Sequence, residues 1–346
     1  MKIDFDDILI KPAVRTRINT RSEIEILDNM DMLPIFTAPM DTVVSDENAD
    51  FFINNHIRVI LPRKPHSYSD DISTSPVCWR SYGLTEFKQI FLQNTPDSYN
   101  RGATMYALID VANGHMPALI DAVNEAKNKY RSELVIMAGN VANPQTYVDL
   151  SIAGADYVRI GIGNGGGCLT TVQTGIGFPM ASLIREVYSE SCTLMEPAKI
   201  VADGGFKKYS DVIKALALGA DYVMLGSIFN KALESSGTTT NDSGEIIDQY
   251  SQIARNYLDC DIPLYKSFRG MSTKEVQRDW GKSDIKTSEG IVKKQKVEYT
   301  IPGWVENFSH YLKSAMSYTD ALNLNEFVGK PECIEISQNS FNRYNK

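Results

Sequence analysis

One cysteine of the chain, Cys168, closes a glycine-rich run in the sequence GIGNGGGCLTTVQTG (161–175). Glycine-rich loops commonly cradle phosphate, because their backbone N–H groups can approach an anion closely. A cysteine acts as a nucleophile only as its thiolate, which requires a nearby base or positive dipole. Most free cysteines are instead small buried apolar residues. Three interpretations of the run are therefore open: a phosphate cradle, a nucleophile or a buried side chain.

Two further segments, VADGGF (201–206) and LGSIF (225–229), each continue an apolar run that predicts a buried strand. Neighbouring strand ends of this kind can hold a phosphate through backbone N–H groups, although the glycines could also serve only as tight turns. Asp203 would repel the phosphate itself but could accept both hydroxyls of a ribose, so a nucleotide suits these segments best. The predicted phosphate donors are Gly204, Gly205, Gly226 and Ser227.

The elements that must carry these segments are short apolar runs rich in β-branched residues, alternating with helical patterns. Most runs are continuously apolar, as expected of strands buried on both faces. Strict β–α alternation over eight runs predicts the α/β class and a (β/α)8 TIM barrel rather than an open sheet. The eight runs are 34–40, 57–63, 75–83, 104–114, 133–141, 156–163, 198–205 and 221–227, and the helical patterns are 45–56, 84–95, 116–130, 143–155, 178–192 and 208–220.

In such barrels chemistry takes place where the strands end, at the carboxyl face. The predicted strand ends are polar or glycine-rich, and the glycine loop follows the sixth of them. The loop contains the pattern G-x-G-x-x-G, but no apolar helix follows directly, which argues against a dinucleotide-binding Rossmann unit. Its carbonyl groups, turned inward, could coordinate a monovalent cation. Its position at this face favours Cys168 as a nucleophile.

Beyond the eighth run the sequence becomes polar, and segments 234–263 and 272–300 are expected to form long excursions over the barrel rim. A chain of 346 residues with 43% hydrophobic residues can bury one large core. We therefore predict a single barrel domain at 1–328, with a flap at about 272–300 and a C-terminal tail at 329–346.

Composition excludes several classes of protein. The net charge of −8 disfavours nucleic acid and anionic lipid as partners. The five cysteines form no C-x-x-C pair, so neither a zinc site nor a disulfide framework is expected. The N-terminal sequence MKIDFDDILIKPAVRT lacks the apolar region of a signal peptide, and no apolar run reaches about 18 residues. We expect a cytoplasmic protein with no membrane or nucleic-acid partner.

Five sequence blocks, in order, resemble the inosine monophosphate (IMP) dehydrogenase / guanosine monophosphate (GMP) reductase family. The resemblance extends from about residue 3 to 325, and the cysteine loop at this spacing from the Asp-Gly-Gly strand is highly specific. The blocks are APMDTV (38–43), IMAGNV (136–141), GIGNGGGCLTT with TGIGFP (161–179), ADGGF (202–206) and SFRGMST (267–273).

Within the family the chain is more similar to the reductases. Dehydrogenases usually carry a regulatory CBS pair inserted in the barrel, whereas the interval from Leu61 to Thr104 has room only for a strand and a helix. The adjacent Arg-Tyr pair with which dehydrogenases activate water is missing between Met271 and Glu289. The blocks similar to reductases are NTRSEIEI (19–26), LIDVANGH (108–115), TGIGFP (174–179) and TSEG (287–290).

Other features depart from the reductase pattern. The family's Pro-Gln after the loop is Pro179-Met180 here, and the loop itself has the sequence GNGGGC. The blocks APMDTV and ILPR are more similar to those of the dehydrogenases. Three alternatives therefore stay open: an IMP dehydrogenase that lacks the CBS module, a divergent purine-nucleotide sensor, and a flavin-dependent barrel oxidoreductase. The intact set of Cys168, Thr170 and Glu289 argues against the sensor.

The resemblance implies an oxidoreductase that converts the purine nucleotide GMP to IMP and ammonia through a thioimidate on Cys168, with NADPH or NADH and without flavin. It implies proton transfer by Thr170 and Glu289, and ribose binding by Asp203. It also implies a homotetramer and a K⁺ ion. The residues implied for the purine are Gly270, Met271 and Ser272, and those for K⁺ are the carbonyls of Gly163, Gly165 and Cys168.

The cofactor is expected to lie beside the strand ends that flank the cysteine loop. Its far end is expected to meet Thr20 and Arg21 of a neighbouring subunit. The residues implied to lie nearer the reacting ring are Asp110, Val111, Ala112, Ile162 and Gly163.

Overall fold

A computed structural model of the chain describes residues 1–64, 72–279, 285 and 287–344. Its strands, numbered along the chain, are β1 (Ile8–Ile10), β2 (Ile35–Thr37), β3 (Val59–Leu61), β4 (Cys78–Tyr82), β5 (Met105–Asp110), β6 (Leu134–Val141), β7 (Tyr157–Ile160), β8 (Lys199–Asp203), β9 (Tyr222–Leu225), β10 (Thr239–Asn241), β11 (Leu264–Arg269), β12 (Val292–Lys296) and β13 (Cys333–Glu335). Strands β2 to β9 form one parallel sheet in the order β2-β9-β8-β7-β6-β5-β4-β3. All eight runs predicted as strands belong to this sheet.

The sheet closes on itself between β2 and β3. Backbone hydrogen bonds run from Thr37 N to Arg58 O at 2.9 Å and from Arg58 N to Ile35 O at 3.1 Å. The hydroxyl of Thr37 accepts the N–H of Ile60 at 3.0 Å. The predicted (β/α)8 barrel is therefore confirmed.

Helices alternate with these strands, as the apolar periodicity predicts. Proline occupies the first turn of three of the helices, where its missing N–H removes no helical hydrogen bond. Each of the six predicted helical patterns contains one α-helix, and these helices begin at Ala49, Leu84, Pro117, Pro144, Met180 and Tyr209. The helices are α1 (Ala49–Ile53), α2 (Leu84–Phe87), α3 (Asp97–Asn100), α4 (Pro117–Tyr130), α5 (Pro144–Ile152), α6 (Thr170–Thr174), α7 (Met180–Ser191), α8 (Tyr209–Leu218), α9 (Ser227–Asn230), α10 (Gln252–Asp259), α11 (Lys274–Asp279), α12 (Ile301–Tyr318), α13 (Leu324–Phe327) and α14 (Gln338–Tyr344).

Aromatic side chains fill the amino-terminal half of the barrel interior. The ring centroid of Trp79 lies 5.6 Å from that of Phe36 and 5.1 Å from that of Tyr157. Tyr106 and Tyr222 pack against the same group. Because this end is filled, polar chemistry inside the barrel is confined to the carboxyl end.

The polar excursions after β9 form a second, antiparallel sheet, β10-β11-β12, which we call the rim sheet. Its buried centre is Lys266, whose Nζ donates to Ser235 O at 2.7 Å, Gly237 O at 3.2 Å and Gln249 Oε1 at 2.9 Å. Burial lowers the pKa of Lys266 to about 7, although the nearby Glu234 acts in the opposite sense. Residues 280–284 and 286 of the predicted flap lie outside the described residues.

The C-terminal segment from 329 packs on the barrel. Strand β13 pairs antiparallel with β1, flanked by bonds from Lys11 N to Glu332 O and from Ile336 N to Asp7 O, both at 2.8 Å. Residues 345–346 of the expected tail lie outside the described residues. In the described ranges, no helix combines the length and hydrophobicity needed to cross a bilayer.

Candidate functional site

A cavity of about 520 Å³ opens at the carboxyl end of the barrel strands. The glycine loop, the ends of β8 and β9, the segment after β11 and Glu289 converge on it, as the barrel prediction requires. The sequence-predicted residues that line it are Asp110, Ala112, Ile162, Gly163, Gly165, Cys168, Thr170, Asp203, Gly204, Gly205, Gly226, Ser227, Gly270, Met271, Ser272 and Glu289.

Three predicted cofactor residues do not line this cavity. Val111 is held beside it, because its backbone exchanges hydrogen bonds with Gly139 O and Asn140 N at 2.9 and 2.7 Å. Thr20 and Arg21 are exposed. The segment Arg21–Glu23 packs against α12, and the N–H of Glu25 donates to Leu322 O just beyond the end of α12, at the opposite end of the barrel. Within one subunit, Thr20 and Arg21 are therefore far from the other predicted site residues.

Cys168 is half-buried and belongs to a short chain of hydrogen bonds. Its Sγ donates to Thr170 Oγ1 at 3.2 Å, and that hydroxyl donates to Glu289 Oε2 at 2.5 Å. A proton that leaves the sulfur thus has a path through one hydroxyl to a carboxylate. The glycine loop and the segment around Glu289 are 119 residues apart in sequence, and the fold joins them.

Backbone hydrogen bonds fix this arrangement. Leu169 N donates to Glu289 O at 2.7 Å, and Ile291 N donates to Gly167 O at 3.1 Å. Gly270 N in turn donates to Ile291 O at 3.0 Å. The cysteine loop, the carboxylate and the segment after β11 therefore form one hydrogen-bonded unit.

The glycine at position 163 allows the loop to fold back on itself. Gly163 has a φ of +82°, and a Cβ there would lie 1.7 Å from Thr171 Oγ1. Only glycine combines that backbone conformation with so close an approach. The loop thereby brings Cys168 and Thr170 to the same wall of the cavity.

Asp203 lies in a partly buried network of polar side chains. Its Oδ2 accepts from Asn140 Nδ2 at 2.8 Å and from Arg159 Nε at 3.0 Å. Arg159 Nη1 also donates to Asp110 Oδ1 at 2.7 Å. Burial alone would lower the pKa of Arg159, but the two carboxylates outweigh it and the pKa is raised. Arg159 is therefore a permanent cation between two acids.

The two segments predicted to hold phosphate lie against the glycine loop. A Cβ at Gly166 would lie 3.3 Å from Ser227 Oγ. Among the described residues, the amides of Gly204 and Gly205 have no backbone acceptor, so both can donate to a ligand. Lys293 Nζ lies 3.4 Å from Gly166 O, and burial lowers the pKa of this lysine. One basic side chain thus accompanies the backbone donors.

Comparison with protein families agrees with this geometry. The model of the IMP dehydrogenase / GMP reductase domain matches residues 103–344, which is more than half of the chain. The chain belongs to the IMP dehydrogenase / GMP reductase family. The resemblance inferred from the sequence blocks is thereby confirmed.

Individual relatives bear the names of reductases. GMP reductase 2 of Mus musculus is 27% identical over 359 residues, which cover 98% of this chain and 95% of the relative. GMP reductase 2 of Homo sapiens is 27% identical over 363 residues, with the same two shares. GMP reductase of Bacillus thuringiensis is 31% identical over 259 residues, 71% of this chain and 76% of the relative.

Sequence reasoning missed one central residue of this family member, Arg159. A signal was present, because Arg159 is a charged residue inside the otherwise apolar run 156–163. It also did not single out Phe268, Gln277 or Thr287, which line the cavity. These residues reach the site through the rim sheet and the segment after it, whose pairing the sequence did not reveal.

Proposed function

We propose that the protein is a GMP reductase, an oxidoreductase that converts GMP, NADPH and two protons to IMP, ammonium and NADP⁺. The observation that carries the proposal is the hydrogen-bonded chain from Cys168 through Thr170 to Glu289. It supplies a nucleophile, a relay and a proton acceptor at one wall of a cavity large enough for a nucleotide. The reductase names of the relatives over nearly the whole chain support the same direction of reaction.

In the first half-reaction the sulfur of Cys168 bonds to C2 of the purine. The thiol proton passes to Thr170 and Glu289, along the distances of 3.2 and 2.5 Å. The same relay returns a proton to the departing amino group, because ammonia leaves more readily than its anion. The carbon–nitrogen bond breaks, and a thioimidate joins the purine to Cys168.

In the second half-reaction C2 is reduced and the carbon–sulfur bond breaks, which regenerates Cys168. A nicotinamide cofactor, when bound, would supply the hydride. Asp110, Ala112 and Ile162 line the cavity near Cys168 and fit a role in binding the cofactor, as does Val111 beside them. Gly163, which also lines the cavity, would help to hold the cofactor. Thr20 and Arg21 could reach its far end only from a second subunit, which is consistent with the proposed homotetramer.

The nucleotide is held by groups of opposite character at its two ends. Asp203 accepts the ribose hydroxyls, which are donors, and its carboxylate stays away from the phosphate. The amides near the ends of β8 and β9 donate to the phosphate. Gly270, Met271 and Ser272 line the purine. The proposed phosphate donors are Gly204, Gly205, Gly226 and Ser227.

We also propose a K⁺ site in the glycine loop. Its ligands would be the carbonyl oxygens of Gly163, Gly165 and Cys168. The buried Oδ1 of Asn164 has no hydrogen-bond partner within the described part of the chain, and an unsatisfied oxygen of this kind fits an oxygen-seeking cation. The test is thermal unfolding in K⁺ and in Li⁺ at equal ionic strength, with stabilisation expected from K⁺ only.

A single spectrophotometric assay tests the reaction. With GMP and NADPH, the absorbance of the reduced nicotinamide should fall in proportion to the IMP formed. The assay should be repeated with IMP and NAD⁺, since a rise in absorbance there would instead identify an IMP dehydrogenase. If the absorbance changes in neither mixture, the catalytic proposal is overturned and only the proposed nucleotide binding remains. Cytoplasmic localisation is part of the proposal, because free thiols are maintained in that compartment.

A further inference from the structure

Arg159 occupies the space between the two strands whose ends carry the acids of the cavity. It belongs to β7 and is 8% exposed. Its Nη1 lies 2.7 Å from Asp110 Oδ1, at the end of β5, and its Nη2 lies 2.9 Å from Asp203 Oδ2, at the end of β8. One guanidinium therefore contacts the acid proposed for the ribose and the acid proposed for the cofactor.

The main chain of β6 makes room for this bridge. Gly139 pairs with Arg159 in the sheet, and a Cβ at Gly139 would lie 2.7 Å from Arg159 Cβ and 2.3 Å from its carbonyl oxygen. A larger residue at 139 would displace β7 at the position of the arginine. Asn140, the next residue, donates its amide to Asp203 and to Gly161 O.

Electrostatics explain why a cation is needed there. Two carboxylates in one partly buried site repel each other, and without a cation one of them retains a proton. A protonated Asp203 would present one O–H donor where the ionised group offers only acceptors to the ribose diol. The planar fork of arginine satisfies both acids at once, which the single ammonium of lysine cannot do with the same geometry.

We propose that Arg159 is a positioning residue that balances the charges of Asp203 and Asp110 and aligns the two carboxylates, and so couples the nucleotide subsite to the cofactor subsite. The inference deepens the proposed function and rests on it for the identity of the two ligands. It assigns no chemical step to Arg159, because the guanidinium acts through the two acids. Since coupling of binding is reciprocal, occupancy of either subsite should change the affinity of the other by the same factor.

The test compares Arg159→Met and Arg159→Lys with the wild type by equilibrium titration with GMP alone, from pH 5 to 8. Arg159→Met should bind GMP about 10-fold to 100-fold more weakly, which corresponds to one or two lost charge-assisted hydrogen bonds. Its affinity should also rise with pH in a step that the wild type lacks, as the shared proton leaves Asp203. Arg159→Lys should abolish the step and recover part of the affinity.

The matched control is Arg58→Met. Arg58 is also a buried barrel arginine, bonded to Asp28 and to Leu33 O, but it lies at the amino end of the strands. Its loss should lower stability and leave GMP affinity and its pH profile unchanged. Wild-type affinity without a pH step in Arg159→Met would overturn the inference.

A measurement without ligand separates this inference from the proposed function. In the ligand-free protein, the ¹³C signals of the two aspartate carboxyls are compared between the wild type and Arg159→Met from pH 5 to 8. In Arg159→Met, one of the two signals should titrate at a higher pH than in the wild type. If Arg159→Met does not fold, Arg159→Lys replaces it, and the carboxyl signals of Arg159→Lys should stay as in the wild type. Carboxyl signals in Arg159→Met that follow pH as in the wild type would refute the positioning role, whereas failure of the wild type to bind GMP would refute only the function.

Discussion

At the scale of single residues, the sulfur of Cys168 is the atom on which the proposed chemistry depends. Cys168→Ser keeps the size and the hydrogen bond to Thr170 but removes the nucleophilic sulfur. We expect turnover of GMP to fall by more than about three orders of magnitude, with GMP affinity within a factor of about three. Steady-state assays and equilibrium titration check the two quantities. Cys192→Ser, at an exposed thiol, is the control, and full activity of Cys168→Ser would exclude the covalent route.

The carboxylate of Asp203 should matter mainly for binding. Asp203→Ala removes the proposed acceptor of the ribose hydroxyls and leaves Arg159 with one acid fewer. We expect GMP to bind about 10-fold to 100-fold more weakly. Calorimetric titration measures this, with Asp221→Ala as the control, because Asp221 lies at the amino end of the strands and accepts the N–H of Ile200. Equal affinity in both variants would remove the ribose role.

The hydrogen bonds and burial of His115 lead us to expect a loss of stability in acid. Its Nδ1 lies 2.8 Å from Thr146 Oγ1, and its Nε2 accepts the N–H of Ala142 at 3.2 Å, so the ring must be neutral. Burial lowers the pKa of His115 below that of an unfolded histidine, near 6.5. As pH falls below about 6.5, the unfolded chain binds the proton first, and the free energy of unfolding decreases. Urea unfolding at pH 7.5 and 5.5 measures this effect. Between the two pH values, the free energy of unfolding should decrease less in His115→Asn than in the wild type.

Residue types at strand ends could be predicted from the sequence, whereas partners across the barrel could not. Cys168 and Asp203 stand out because glycines and an apolar run mark where a strand stops. Arg159 does not, because its partners are 49 and 44 residues away, on strands whose register only the folded barrel defines.

At the scale of elements, the barrel strands were predictable because both faces of each are buried, which leaves an uninterrupted apolar run. The rim sheet was not. In β11, Lys266 interrupts the buried face between Leu264 and Phe268, and β12 consists mostly of lysine and glutamine. The two strands pair across more than 20 intervening residues. Their register depends on contacts such as those of Lys266, which composition alone does not reveal.

Lys266→Met tests what holds the rim sheet together. The change leaves three buried oxygen acceptors without their donor, and we expect a loss of roughly 2–4 kcal/mol of stability. In Lys266→Met, hydrogen exchange of the β10–β12 amides, measured by mass spectrometry, should become faster than in the wild type, and by more than exchange of the barrel-strand amides does. Lys294→Met, at an exposed position of β12, is the control and should leave exchange unchanged. Equal protection in the two variants would contradict the role of Lys266.

At the scale of the whole molecule, the C-terminal segment is anchored to the barrel at Gly329. Its φ is +68°, and a Cβ there would lie 2.2 Å from the ring of Tyr188 on α7. Gly329→Ala should cost roughly 1–3 kcal/mol more than Gly102→Ala, which has a similar φ of +71° but open space around it. Chemical unfolding of both variants gives the difference, and equal losses would mean that the ring moves aside freely.

The pairing of β1 with β13 has a consequence for engineering. Because Ile8–Ile10 and Cys333–Glu335 lie side by side, residues near the two ends of the described chain are neighbours in space. A short linker could join them, and a new start could be cut in the exposed turn at Gly244, where a Cβ would meet no atom within 4 Å. Such a circular permutant would retain all eight barrel strands and would begin in the turn after β10 instead of close to β1.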